Sequence, residues 1–227
     1  MLPSEGTMQE NRLMVKPLVN VNGKLIFGPG MIKVSSENFL NSIIEGGWIY
    51  SNMEHLPRDL YNSLSDKHSE ISRRLEQDLL NQLKEITPYY EGKILEFKGG
   101  KNHKCFAEIK EQSPGEIDAI SLHLTNKKII IWEAKEIGRK FGAREIANII
   151  VDKFIKEEKG YVERVLKKQE FVEKNLKEVL DYYNIKDAVG WKVDYAFVFY
   201  SRNLLMSFLG SKVNFITLDE VKEFVER

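Results

Sequence analysis

The stretch Gly115-Glu116-Ile117-Asp118-Ala119-Ile120-Ser121-Leu122-His123-Leu124-Thr125-Asn126-Lys127-Lys128-Ile129-Ile130-Ile131-Trp132-Glu133-Ala134-Lys135 decides how this chain folds. It holds two apolar runs separated by a turn around Thr125-Asn126-Lys127, and so predicts a β-hairpin. Antiparallel pairing would bring Asp118, at the start of the first strand, beside Glu133, at the end of the second. Side chains alternate along a strand, so Glu133 and Lys135 share one face and Ala134 takes the other. Two carboxylates and a lysine then converge on one point, a set suited to metal-assisted phosphodiester hydrolysis.

Glu-x-Lys alone selects nothing, because the chain is 30% charged and five other matches begin at Glu91, Glu96, Glu108, Glu157 and Glu220. Glu133 stands apart because the four residues before it, Ile129 to Trp132, are all apolar, as in a central strand buried on both faces. A carboxylate and an ammonium at the end of such a strand cost several kcal/mol unless something compensates them. A bound divalent cation is one such compensation. The bland alternative is a surface Glu-Lys pair, with Asp118 as a turn residue after Pro114-Gly115. The rival Glu96-Phe97-Lys98 has no acid-headed strand just upstream and ranks below.

A chain of 227 residues can bury a real core, and its length suggests one domain with an elaboration. Residues 1–62 read as a cap or docking segment, and 63–227 as an α/β domain. The single cysteine, Cys105, rules out an intramolecular disulfide framework, and the four histidines (His55, His68, His103, His123) lack zinc-ligand spacing. No apolar run approaches the roughly 20 residues of a membrane span. The opening Met1-Leu2-Pro3-Ser4-Glu5-Gly6 lacks a basic-then-apolar export signal, so the expected setting is cytoplasmic. Net charge is zero, but residues 127–177 hold fourteen Lys/Arg against nine Asp/Glu, whereas residues 1–60 hold five and six. A local basic surface near the hairpin is one reading of this, and a solvated helix face is the other.

Gly23-Lys24-Leu25-Ile26-Phe27-Gly28-Pro29-Gly30 reads as strand and turn, followed by a short helix from Ser36 to Ile44. From Asp66 to Ile86, Ile71, Leu75, Leu79, Leu83 and Ile86 recur at helical spacing, and Pro88 marks the stop. Short strands are expected at 93–98 and 104–109, then the hairpin. A long helical stretch should run from about Arg144 to Tyr183, broken near Gly160, with strands at 193–200 and 213–217 and a closing helix from Leu218. The hairpin pairs antiparallel and the helical crossover permits a parallel return, so the expected fold class is α/β, a mixed central sheet flanked by helices. There is no phosphate-cradling Gly-x-x-x-x-Gly-Lys-Ser/Thr and no Gly-x-Ser-x-Gly elbow.

At Asp118 and Glu133-Ala134-Lys135 the chain resembles the PD-(D/E)xK nuclease superfamily, over roughly residues 66–200. The resemblance implies a restriction-endonuclease-like αβββαβ core with an N-terminal elaboration, and an active site of Asp118, Glu133 and Lys135. Glu76, in Arg74-Leu75-Glu76-Gln77-Asp78, matches the glutamate that the family often carries on its first core helix. Glu70 and Asp78 are its alternatives. Many members add a polar or basic residue from the second core helix. Here Val162, Val165, Leu166, Val172, Leu176 and Leu180 draw an apolar stripe that includes Gln169, with Lys168 beside it in reach of a phosphate. The chain departs from the pattern in carrying Ile117, not proline, before the first acid; Pro114 lies further back. Nothing before residue 60 has a counterpart.

The implied activity is that of a Mg²⁺-dependent endonuclease, with Mn²⁺ as a substitute ion. Asp118 and Glu133 would hold the ion, and the Ala134 carbonyl would be a third ligand. Lys135 would orient or help deprotonate the attacking water. The implied partner is nucleic acid, with DNA favoured by the resemblance, in restriction, repair or defence; a homodimer or larger complex stays open. Two other readings compete. One is a catalytically silent nuclease-like module that binds nucleic acid or protein, and the other a purely helical interaction protein built on residues 144–183.

Overall fold

A computed structural model of the chain describes residues 19–30, 32–34, 36–37, 58–94, 115–137, 147–156, 160–202, 206–207 and 213–227. The chain divides into two compact units, 1–71 and 72–227, against an expected division after residue 62. In the first unit, β1 (Val19–Val21) and β2 (Lys24–Ile26) form an antiparallel hairpin. Asn22 and Gly23 turn it with φ of 50° and 78°, the left-handed pair that a two-residue hairpin loop requires. Residues 29–30, 32–34 and 36–37 are helical, so helix begins where the sequence suggested a turn.

The helix α1 spans Arg58–Ile86 and starts two turns before the expected Asp66. Its early turns carry Leu60 and Leu64 at helical spacing, but the polar Lys67 and His68 interrupt the pattern before Ile71, which hid the earlier start. Within the second unit Leu75, Leu79 and Leu83 recur every fourth residue and are fully buried. The helix ends at Ile86, two residues before Pro88, and the Thr87 hydroxyl stitches this end to the sheet by donating to the Leu122 carbonyl at 2.7 Å.

Five strands follow: β3 (Tyr90–Ile94), β4 (Ile117–His123), β5 (Lys128–Ala134), β6 (Lys192–Phe199) and β7 (Phe215–Thr217), adjacent in that order. The β3–β4 and β4–β5 pairs are antiparallel; β5–β6 and β6–β7 are parallel. The sheet is therefore mixed, and its five strands exclude a purely helical protein. β3 begins three residues before the expected start, and the strand expected at 104–109 lies outside the described residues. The crossover from β5 to β6 contains a π-helical turn (Ile150–Ile155), then α2 (Tyr161–Lys174) and α3 (Leu176–Tyr182). Gly160 marks the expected break, and its role is close approach: a Cβ there would lie 2.5 Å from the Phe154 carbonyl oxygen. A turn of 3₁₀-helix (Leu218–Glu220) leads into α4 (Val221–Glu226).

Helices cover both faces of the sheet, which explains the unbroken apolar run in β5. Ile129 and Ile131 pack with Val165, Val172 and Val179 on one side. Ile130 and Trp132 pack with Leu75, Leu79, Leu83 and Phe224 on the other. No helix among the described residues is long and apolar enough to cross a membrane.

A polar chain runs through the second layer. The Trp132 indole N–H donates to Ser121 Oγ at 2.8 Å, and the same hydroxyl shares a hydrogen bond with His123 Nε2, also at 2.8 Å. Burial, and after it the charge of Lys128, pushes the His123 pKa down from 6.5 to about 4. The unfolded chain therefore takes up this proton first as the pH falls. Stability from the neutral imidazole is complete above about pH 6.5 and is lost as the pH drops toward about 4. Thermal unfolding between pH 7 and pH 4 should show this loss, and His123→Gln should flatten that part of the profile. A profile unchanged by the substitution would refute the assignment.

Candidate active site

The central hairpin opens at one end. The last β4–β5 pair is Ala119↔Trp132, yet β4 continues back to Ile117, paired with Ile94, and β5 continues to Ala134, paired with Val198. Each strand keeps its outer neighbour while the two inner edges part. The Asp118 carboxylate fills this gap: its Oδ2 accepts the Ala134 amide at 2.9 Å and the Lys135 ammonium at 3.0 Å. A side chain thus replaces a backbone acceptor in the ladder.

Lys135 also lies 3.1 Å from Glu133 Oε2, so it bridges both acids, as strand alternation requires. Burial alone would lower its pKa, but Glu133 and Asp118 outweigh burial and hold it above the ordinary lysine range. It is a fixed positive charge at neutral pH. The Tyr161 ring lies below it, 5.5 Å from ammonium to ring centre. The other oxygen of Glu133, Oε1, accepts the Lys168 ammonium from α2.

The structure thus brings together Asp118, Glu133, Lys135 and Lys168, with Ala134 between the two motif residues. Gln169 turns elsewhere and donates to the Val193 carbonyl at 2.8 Å and to Glu173 at 3.0 Å. It satisfies a strand edge and does not meet the carboxylates. Of the expected stripe Val165, Val172 and Leu180 are buried, whereas Leu166 is exposed and Lys168 lies buried between Val165 and Val172. A lysine three residues after one core valine and four before another is the signal for its burial.

Glu76 from α1 faces the same region. Burial raises its pKa first, then the charge of Asp118, and these, with Glu116, exceed the lowering by Lys93 and Lys135. Lys93 lies 3.7 Å from Glu76, and its φ of 54° places it in a conformation uncommon for a non-glycine residue. Neither Lys93 nor Tyr161 was singled out by sequence, because a half-exposed lysine and a helix-start tyrosine are ordinary there. Asp78, an alternative to Glu76, is occupied by the Tyr200 hydroxyl at 2.8 Å.

The donors available for a metal are all oxygens: Asp118, Glu133 and the Ala134 backbone. No group of three or more His, Cys, Asp or Glu side chains among the described residues is arranged as a metal site. The set is therefore of the two-carboxylate kind, which suits a small, hard cation that keeps several waters. Comparison with known protein families, curated proteins and solved structures finds no match.

Proposed function

We propose that this protein hydrolyses phosphodiester bonds with the help of a divalent cation, Mg²⁺ or Mn²⁺, and that its substrate is DNA. The observation that carries the reading is the convergence of Asp118, Glu133 and Lys135 where the hairpin opens. The order α1, β3, β4, β5, α2, β6 agrees with the core of the PD-(D/E)xK nucleases and supports the same reading. The choice of DNA rests on that resemblance, as does a role in restriction, repair or defence.

Asp118, Glu133 and the Ala134 carbonyl would hold the cation. Bound there, it would neutralise phosphate charge and lower the pKa of a water. Lys135 would orient that water or help deprotonate it, and would offset the negative charge that develops on the phosphate. Lys168 would meet a neighbouring phosphate oxygen. Gln169 has no part in this scheme.

A non-cutting binding module is the second reading, favoured by the balance of two acids by two lysines without any ion. The protein should cut plasmid or linear duplex DNA with Mg²⁺ or Mn²⁺ and stop in EDTA, with single-stranded DNA and RNA run alongside to fix the substrate class. Absence of cutting on all four, with binding unchanged by EDTA, would hand the reading to the module.

A further inference from the structure

Lys168 and Glu133 are 6% and 5% exposed, and a lysine this deeply buried is rare unless paired. Gly115 lies beside the lysine stem, where a Cβ would stand at an ordinary contact distance of 3.9 Å from Cε. The ammonium meets Glu133 Oε1 while Lys135 holds Oε2, so both carboxylate oxygens already face a cation. Asp118, Glu133, Lys135 and Lys168 sum to zero charge.

We infer that Lys168 is an internal competitor for the divalent cation: its ammonium occupies the Glu133 oxygen on which the ion would be held, and so sets the affinity of the site for metal. This rests on the reading of the preceding subsection. A dication entering the neutral cluster leaves an excess of two positive charges unless a lysine withdraws. Lys135 has two acidic partners, Asp118 and Glu133, whereas Lys168 has Glu133 as its one acidic partner among the described residues. Lys168 is the one that yields. The protein thereby stays metal-poor until the cation, or an anion that draws Lys168 away, breaks the pair.

Calorimetric titration of Mn²⁺ into the full-length, metal-stripped wild type, Lys168→Met and Lys168→Arg tests this. Lys168→Met should bind Mn²⁺ roughly tenfold more tightly, within the usual range of coupling between two linked events. Lys168→Arg keeps the charge and should bind as the wild type does. Damage to the fold would weaken metal binding, so tightening cannot arise from a merely structural role. Should Lys168→Met not fold, Lys168→Gln, which retains a hydrogen bond to Glu133, should tighten binding by a smaller factor. Equal or weaker Mn²⁺ binding in the neutral variants would overturn the inference and leave the nuclease reading standing. Uptake of no Mn²⁺ by any of the proteins would overturn both.

Discussion

Replacing Lys135 by alanine is expected to lower metal-dependent cleavage roughly 10³-fold, within the range for removal of one group that stabilises transition-state charge or positions a water. Among the described residues this side chain is the only one that touches both acids, at 3.0 Å from Asp118 and 3.1 Å from Glu133. On the proposed reading, alanine removes the charge that would face the scissile phosphate and leaves the two carboxylates to repel each other. The fold should survive, because Asp118 keeps the Ala134 amide and Glu133 keeps Lys168. Cleavage kinetics together with a melting curve measure the two effects separately. A folded Lys135→Ala protein that cuts at the wild-type rate would remove Lys135 from the chemistry, whereas one that fails to fold would show that the site is structural before it is catalytic.

Trp132→Ala should be the most damaging of the core substitutions considered for the hairpin. Trp132 is fully buried, donates its indole N–H to Ser121 and meets the Phe224 ring edge-on with centres 5.8 Å apart. Loss of this volume should cost about 3–5 kcal/mol, or roughly 6–20 °C in melting temperature at about 2–4 °C per kcal/mol for a protein of this size. Trp132→Phe keeps most of the packing and loses the hydrogen bond, so it should cost about 1–2 kcal/mol. Urea or thermal unfolding of both variants gives the comparison. A loss below about 1 kcal/mol for alanine would mean that the second layer repacks freely around the gap, against the behaviour of close-packed interiors.

The hairpin and the faces of its side chains were legible because period-two alternation, an unbroken isoleucine run and a short polar turn agree on one arrangement. The register followed, and with it the meeting of Asp118, Glu133 and Lys135. Helical positions were less legible. In α2 the expected stripe placed Val165 and Val172 inward, as found, but also took in Leu166, which is exposed, and left Lys168 beside it, although that side chain is buried. A charged side chain can lie inward when its partner waits on another element, and Glu133, 35 residues away, cannot be matched to Lys168 by local pattern. The early start of α1 escaped for another reason, since the polar Lys67 and His68 interrupt the helical spacing between Leu64 and Ile71. The residues between Ile94 and Gly115, where a further strand was expected, lie outside the described structure.

The parting of β4 from β5 gives one backbone proton an unusual guardian. Elsewhere in the hairpin, amide protons are shielded by strands that must separate before solvent can exchange them. At Ala134 the shield is a carboxylate on a single rotatable side chain. Its exchange with deuterium therefore reports where Asp118 spends its time, and local opening there need not involve the rest of the sheet. A cation that claimed that carboxylate, as the proposed function requires, would announce its arrival at a neighbouring peptide bond, and the sheet would carry its own isotopic gauge of occupancy.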